Sequence, residues 1–250
     1  MTDGTPTNSS PGMAPLDVPG RAMTIGAHPD DAEFGAGATL ARWASLGTQI
    51  TMVILTDGSK GAWDPDTDQQ ELIETRIKEQ ANAADVLGAA NVIHLEHVDG
   101  ELEYSMNLRL ELARHIRTEK PDVVLTHDPW QKYQLHPDHR VTGTAALDAV
   151  VTAREPLAAR HLNLPAHRPS TALLWSADAP DHAEPMTDTW FESKIDALMC
   201  HTSQGTTTMS GAETGAESRL AFAASVRIRH AKDGELFGHQ LAEIFKLIVP

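Results

Sequence analysis

Hydrophobic positions in the first half of the chain alternate between short apolar runs and longer stretches with helical spacing. In one such stretch, Ala36, Leu40, Trp43 and Ala44 recur on one helix face, and Gly47 follows as a helix C-terminal residue would. The short runs are rich in Ile, Val and Thr, which favour strands. We therefore predict strands over residues 23–27, 50–56, 92–95 and 123–126, and helices over residues 36–46, 69–87 and 108–118.

This alternation of strands and helices predicts an α/β fold. Strands joined through helices make right-handed crossovers, so we expect a Rossmann-like, mostly parallel sheet with helices on both faces. Beyond residue 150 the pattern weakens, and it predicts one strand over residues 172–175 and two or three helices, including residues 192–201. In such folds the functional site lies at the carboxyl ends of the strands.

Composition divides the chain into a short leader and one domain. Residues 1–20 are rich in Thr, Ser, Pro and Gly and have neither the basic nor the apolar region of a signal peptide, so we predict a disordered leader. Residues 21–250 are enough for a single domain with a sizeable core. No apolar run approaches the roughly 18 residues of a membrane span, so we expect no membrane partner. Because the leader lacks the features of a signal peptide, we expect a cytoplasmic protein.

Charge and cysteine content exclude several classes of site. With 20 Lys and Arg against 35 Asp and Glu, the net charge of −15 disfavours nucleic acid as a partner. Cys200 is the only cysteine, so the chain forms no intrachain disulfide and no thiolate zinc cluster. It lies in an apolar helical stretch, which favours a structural role. Any metal ion must be held by His and carboxylate side chains.

Two segments with the same plan carry the candidate chemistry. Residues 28–31 (His-Pro-Asp-Asp) follow the first predicted strand, and residues 136–139 (His-Pro-Asp-His) follow the fourth. Pro is favoured at the first position of a helix, so we predict that each segment opens a helix with its His as the cap. The first and last residues of each segment then face the same way. Either segment alone fits an ordinary helix start, but two at strand ends favour a shared site.

A metal site can be assembled from these segments. A catalytic zinc ion needs three N or O ligands from the protein and an open position for water. His28, Asp31 and His139 supply that set, so we predict that they bind Zn²⁺. The pKa of zinc-bound water falls to about 7, and a carboxylate that does not touch the metal can take its remaining proton. Asp30 is the candidate for this general base.

A second catalytic group is needed for the developing oxyanion and the leaving amine, and a protonated imidazole can serve both. We predict this role for His136. Asp138 is expected to orient His136 and to raise its pKa, because a carboxylate partner favours the charged imidazole.

These residues together resemble a known family. Ala27-His28-Pro29-Asp30-Asp31, followed by Glu33 and Gly35, then Thr56-Asp57-Gly58 and finally His136-Pro137-Asp138-His139, closely resemble the LmbE-like (PIG-L) family of zinc-dependent N-deacetylases. The resemblance runs from about residue 21 to residue 201. The resemblance implies the same zinc ligands, general base and general acid that we predicted from the residues of the two segments. It also implies a small-molecule substrate, an N-acylated amino sugar or sugar-containing conjugate, with acetyl as the expected acyl group.

The resemblance extends to two further positions. Arg76, followed by Glu79, resembles the family's helix Arg-x-x-Glu, and Asp99 with Gly100 resembles its Asp-Gly loop. Both imply contact between Arg76 or Asp99 and the substrate. An Arg and a Glu at helical spacing also fit a solvated surface pair.

Two other segments are compared with the family. Residues 201–204 (His-Thr-Ser-Gln) resemble a late family motif, which we interpret as helix-end packing near the site. Some relatives that act on mycothiol precursors have Tyr two residues before the second His-Pro-Asp motif, whereas this chain has Gln134 there and Tyr133 one position earlier. Trp63, Trp130 and Tyr133 lie in loops on the expected site side, where stacking on a sugar and rim packing are equally compatible with the sequence.

Several alternatives stay open at this point. One is an amidase acting on a thiol conjugate or on an N-acyl group of an antibiotic, and another is a metal-binding module without turnover. A nucleotide-dependent enzyme is disfavoured, because Gly35-Ala36-Gly37 is followed by Leu40 where a dinucleotide loop needs Gly or Ala. Fe²⁺ is an alternative to Zn²⁺, and a homo-oligomer is an alternative to a monomer.

Overall fold

The computed structural model of the chain describes residues 14–209 and 216–250. Its strands are β1 (Arg21–Gly26), β2 (Gln49–Thr56), β3 (Asn91–His97), β4 (Val123–His127), β5 (Thr171–Trp175), β6 (His182–Pro185) and β7 (Ala242–Ile248). Its helices are α1 (Asp31–Ser45), α2 (Gln69–Leu87), α3 (Met106–Glu119), α4 (Pro137–Arg154), α5 (Asp188–Met199) and α6 (Ala216–Leu236).

The seven strands form one sheet in the order β3-β2-β1-β4-β5-β7-β6. Neighbours from β3 to β5 pair in parallel, and β7 pairs antiparallel with both β5 and β6. Each connection between successive strands from β1 to β5 contains one of the helices α1 to α4. The predicted Rossmann-like, mostly parallel α/β sheet is therefore confirmed.

Helices cover both faces of this sheet. On one face, α1, α2 and α5 contribute to a core that includes Leu40 and Trp43. On the other face, α3 and α4 pack with Met23 and Ile25 of β1, while Ala22 of the same strand belongs to the first core. Burial on both faces explains why the central strands are continuous apolar runs in the sequence.

The end of the chain differs from the sequence prediction. We expected helices alone to finish the chain, but β6 and β7 close the sheet there. Buried positions of these two strands carry the acidic residues Glu184 and Glu243, which are each 1 % exposed. Acidic residues at buried positions interrupt the hydrophobic pattern by which a strand is recognised. Glu184 pairs with Arg42, and Glu243 pairs with Lys194 at 2.6 Å. These partners come from distant helices, so the sequence pattern did not reveal them.

Helix α2 has the predicted bounds, whereas α1 begins earlier than expected. The hydrophobic pattern placed the start of α1 at residue 36 and the His-Pro-Asp-Asp segment placed it at Pro29, whereas the helix begins at Asp31. Its first turn buries Asp31 and Glu33, which a hydrophobic pattern cannot recognise. Pro29 therefore lies before the helix rather than at its first position, and Asp30 is the N-cap. In the second motif the prediction holds, because α4 begins at Pro137 with His136 as its cap.

Part of the predicted leader contacts the domain. The Leu16 backbone N–H donates to Glu184 at 2.9 Å, and the Pro19 carbonyl accepts a hydrogen bond from Thr48 Oγ1 at 2.7 Å. The packed chain thus begins before the expected boundary at Arg21, and the disorder predicted for residues 1–13 lies outside the described residues. Among the helices that the structure describes, none combines the length and the apolar character of a membrane span.

Candidate active site

The two His-Pro-Asp segments meet at one end of the sheet. Residues 28–31 follow β1 and residues 136–139 open α4, which follows β4, the neighbour of β1 in the sheet. A cavity of about 1200 Å³ opens there. It is lined by seven of the eight residues that the sequence singled out: His28, Asp30, Asp31, Arg76, Asp99, His136 and His139. The eighth, Asp138, is fully buried behind them.

Three ligand-type side chains converge within this cavity. His28 Nδ1 lies 3.2 Å from His139 Nε2 and 3.5 Å from Asp31 Oδ2, and His139 Nε2 lies 3.3 Å from Asp31 Oδ1. Ligands at about 2.0–2.1 Å from a tetrahedral zinc ion lie about 3.3 Å from one another. The contacts match this spacing, with Asp31 facing His28 through Oδ2 and His139 through Oδ1, so the three side chains can share one metal ion through both oxygens of Asp31. Two overlapping groups in the described residues are also close enough to hold an ion, His28 with His136 and His139, and Asp31 with His127 and His139.

Two carboxylates orient the His28 ring. His28 Nε2 lies 3.2 Å from Asp138 Oδ2 and 3.2 Å from Asp99 Oδ1. Carboxylates only accept, so Nε2 carries the proton and Nδ1 is left to face His139. Burial lowers the pKa of His28, but the carboxylates of Asp138, Asp31 and Asp99 outweigh it and hold the pKa well above its ordinary value. The raised pKa means that Nδ1 also binds a proton readily, and a cation between His28 Nδ1 and His139 Nε2 would take the place of that proton.

A second chain of contacts orients Asp31. Trp175 Nε1 donates to His127 Nδ1 at 3.0 Å, and His127 Nε2 lies 3.0 Å from Asp31 Oδ2. Because an indole N–H is only a donor, His127 Nδ1 must accept and Nε2 must carry the proton. Burial lowers the pKa of His127, which favours this neutral form. In this tautomer His127 donates to Asp31 and holds its carboxylate in place.

Asp30 occupies a left-handed backbone conformation next to these groups. Its φ and ψ angles are 91° and −21°, and its side chain is buried beside Arg76, with Oδ2 3.5 Å from Arg76 Nη2. Burial raises the pKa of Asp30 to about 6, although the Arg76 charge opposes the shift. The Asp30 carboxylate therefore lies next to His28, Asp31 and His139, which we call the metal-capable trio, but it is not one of the three.

His136 borders the same trio on the cavity side. Its ring centroid lies 4.8 Å from that of His139 and 4.5 Å from that of His28. Asp138 contacts His28 and not His136, so the predicted orientation of His136 by Asp138 is wrong. The Asp138 charge acts in the expected upward direction on the pKa of His136, but burial and the charges of His28 and His139 outweigh it, so the net shift is downward. Asp138 instead accepts from the Gly100 N–H at 2.7 Å.

Arg76 and Glu79 are buried at 3 % and 5 % exposure, so the interpretation as a solvated surface pair is wrong. Arg76 donates to the carbonyls of Pro29 at 2.7 Å and Gly58 at 3.1 Å. Glu79 accepts from Ser203 N at 2.7 Å and Ser203 Oγ at 2.6 Å, which fixes the late His-Thr-Ser-Gln segment against α2.

Comparisons with known proteins agree with this geometry. Residues 23–150 match the model of the family described as PIG-L, GlcNAc-PI de-N-acetylase. The chain belongs to the PIG-L family. The diacetylchitobiose deacetylase of Thermococcus kodakarensis is 33 % identical over 187 residues, which cover 74 % of this chain and 70 % of the relative. An uncharacterized deacetylase of Escherichia coli, YaiS, is 31 % identical over 188 residues, covering 72 % of this chain and 90 % of the relative.

A solved PIG-L relative has the same fold. The N,N'-diacetylchitobiose deacetylase from Pyrococcus horikoshii, in complex with its inhibitor MPG, superposes with a TM-score of 0.82 at 28 % sequence identity. The match covers 94 % of this chain and 88 % of the relative. The predicted family and the predicted reaction class, hydrolytic N-deacetylation of an amide, are thereby confirmed.

Sequence reasoning missed three residues of this PIG-L site: His127, Trp175 and Gln80. His127 ends β4 and Trp175 ends β5, so the rule that sites form at carboxyl strand ends pointed to both. Gln80, whose side-chain oxygen accepts from the Asp30 N–H at 3.1 Å, lies inside α2 and carries no such signal. Trp63, Trp130 and Tyr133 are exposed on the site side, and of these Trp63 lines the cavity.

Proposed function

We propose that this PIG-L chain is a zinc-dependent hydrolase that removes the acetyl group from the nitrogen of an amino sugar or of a sugar-containing small molecule. The observation that carries the proposal is the convergence of His28 Nδ1, His139 Nε2 and the two carboxylate oxygens of Asp31, with contacts of 3.2–3.5 Å. These three side chains would hold the ion. Bound Zn²⁺ supplies an acidified water and a Lewis acid for the amide carbonyl, and Fe²⁺ in the same ligand set would supply similar chemistry.

Asp30 is assigned the proton transfer at the attacking water. A general base works best when its pKa lies near the operating pH, and burial raises that of Asp30 to about 6. Its carboxylate accepts the proton of the nucleophile and can later return it to the leaving nitrogen.

His136 is assigned the opposite side of the amide. Its ring stacks on His139 and lines the cavity, so an N–H of the imidazole can reach the carbonyl oxygen or the departing amine. His28 is kept in its ligand tautomer by Asp99 and Asp138. Asp99, which also lines the cavity, is retained as a substrate contact.

The substrate class is taken from relatives and from the size of the cavity. Two relatives are named for diacetylchitobiose, and another, from Kineococcus radiotolerans, is named for an acetamido-deoxyglucopyranoside of myo-inositol. A cavity of about 1200 Å³ has room for a sugar ring and a substituent in addition to the acetamido group. An amidase of thiol conjugates or antibiotic N-acyl groups shares the same chemistry. Cytoplasmic location and an oligomeric state stay predictions.

The test pairs metal analysis with acetate release from a panel of N-acetylated amino sugars and conjugates. We expect about one zinc per chain and a fall in kcat of about 10²- to 10⁴-fold for Asp30→Asn, because proton transfer by a positioned side chain contributes that much. Asp85→Asn, an exposed position on α2, is the matched control. Normal zinc binding by both the wild type and Asp30→Asn, with no acetate released by either protein from any substrate, would favour a metal-binding module instead.

A further inference from the structure

One peptide bond beside the metal-capable trio is held from both sides by α2. Its carbonyl, Pro29 O, accepts from Arg76 Nη2 at 2.7 Å, and its N–H, that of Asp30, donates to Gln80 Oε1 at 3.1 Å. Arg76 and Gln80 are four residues apart, so they lie one above the other on the same helix face. The spacing of the two side chains matches the two edges of the peptide.

The residue that follows this peptide is in a rarely occupied conformation. Asp30 has a φ of 91°, in the left-handed region that L side chains seldom adopt. Such a conformation persists only where its surroundings fix it, and it is concentrated at functional sites. The contacts from Arg76 and Gln80 act on the peptide directly before the strained Cα, so they can supply that fixation.

The two side chains are themselves immobilised. Gln80 is fully buried and its Nε2 donates to Glu33 Oε1 at 2.6 Å, which fixes the oxygen toward Asp30. Arg76 Nη1 donates to Gly58 O at 3.1 Å. A Cβ at Gly61 would overlap Arg76 Nη1, so the guanidinium occupies a slot that exists because this position has no side chain.

We infer that Arg76 and Gln80 are positioning residues that hold the Pro29–Asp30 peptide and thereby aim the Asp30 carboxylate. The inference rests on the proposed function, in which Asp30 is the base. It also gives Arg76 a role other than the substrate contact that the family resemblance implies. The Arg76 side chain is 3 % exposed, and Nη1 and Nη2 are committed to two backbone carbonyls.

Kinetics of a volume-conserving variant test the role of Gln80. Gln80→Met removes the acceptor for the Asp30 N–H, and we expect kcat to fall roughly 10- to 100-fold, because a small misplacement of a reacting group costs that much. KM and zinc content should stay at the wild-type values, since the variant leaves the cavity wall and the ligand trio in place. Gln70→Met, the same substitution at an exposed position of α2, is the matched control and should change none of these quantities.

Arg76→Lys separates positioning from substrate binding. A lysine keeps the positive charge but cannot bond to Pro29 O and Gly58 O in the same fork geometry. We expect kcat to fall with KM unchanged. A rise in KM with kcat unchanged would overturn the inference for Arg76, because it is the result of a lost sugar contact. This variant also keeps the inference testable if Gln80→Met fails to fold.

Amide hydrogen exchange of the resting protein supplies a readout without substrate. In Gln80→Met we expect the Asp30 N–H to exchange about tenfold faster or more than in the wild type, measured by ¹⁵N NMR, and in Gln70→Met to exchange at the wild-type rate. Wild-type Asp30 exchange together with wild-type kcat in Gln80→Met would overturn the inference. If instead the wild-type protein releases no acetate from any amino sugar, the proposed function fails, while the exchange of Asp30 still decides whether the peptide is held.

Discussion

Trp175 affects the candidate metal site by fixing which ring nitrogen of His127 carries the proton. Its indole N–H fixes the tautomer in which His127 donates to Asp31. Trp175→Phe keeps an aromatic ring, although a smaller one, and removes that donor, so His127 can also adopt the tautomer that does not donate to Asp31. We expect zinc affinity to fall about 10-fold, the usual minimum for loss of an outer contact to a metal ligand. Competition with a chromophoric chelator measures it.

The control for this prediction is Trp63→Phe, on the exposed part of the cavity rim. It removes the same indole N–H from a residue that does not contact the His127 relay, so its zinc affinity should equal that of the wild type. Equal zinc affinities of Trp175→Phe and the wild type would contradict the tautomer assignment.

At the residue scale, the sequence predicted which side chains meet in the candidate site, but it did not predict all of their hydrogen-bond partners. His28, Asp31 and His139 could be found because each lies in a recognisable turn after a strand. The partner of Asp138 could not be found, because helical spacing shows which way a side chain points and not which residue of another segment meets it. Asp138 therefore supports His28, which comes from the other motif.

At the element scale, Arg117 joins α3 to the end of α4. It is 2 % exposed, and it donates to the carbonyls of Thr152, Ala153, Glu155 and Ala158 at 2.9–3.1 Å. These carbonyls include the last of the helix, which have no partner within it. Arg117→Met leaves them without this donor, and we expect the free energy of unfolding in urea to fall by about 3 kcal/mol.

The matched control is Arg114→Met, an exposed position on the same helix. The same charge and the same hydrogen-bond donors are lost there, so any general effect of the substitution on α3 is included. We expect its unfolding free energy to stay within about 0.5 kcal/mol of the wild type. A similarly small change for Arg117→Met would show that the end of α4 does not depend on this guanidinium.

Elements with local end signals were predicted best. The bounds of α2 agree because Asp68 caps its start through the N–H groups of Gln70 and Glu71, and Gly88 ends it with a φ of 75°. The start of α1 and the strand β7 were missed because their buried acidic residues satisfy contacts made far away in the sequence. Local pattern is sufficient where an element is stabilised locally, and it fails where burial depends on a distant ion pair.

At the scale of the whole molecule, one such ion pair connects α1, α5 and β7. Glu243 accepts from Lys194 at 2.6 Å and from Thr39 N at 2.7 Å. Burial raises the pKa of Glu243, but Lys194 and the other donors outweigh it, so the net shift is downward. A carboxylate with a lowered pKa stabilises the fold above its unfolded pKa of about 4.5, and this contribution is lost as pH falls through the lower folded pKa.

Glu243→Gln tests this contribution. At pH 7 we expect the unfolding free energy to drop by about 3 kcal/mol, because Lys194 is left as an unpaired buried charge. Between pH 5 and pH 3 the wild type should lose stability faster than the variant, so the difference between them should shrink. Both proteins are measured with the metal removed by chelator, since protonation of the ligand trio would otherwise add its own pH dependence. A difference that stays constant over this range would mean that Glu243 titrates alike in the folded and unfolded chains, and that its contacts with Lys194 and Thr39 do not stabilise its charge.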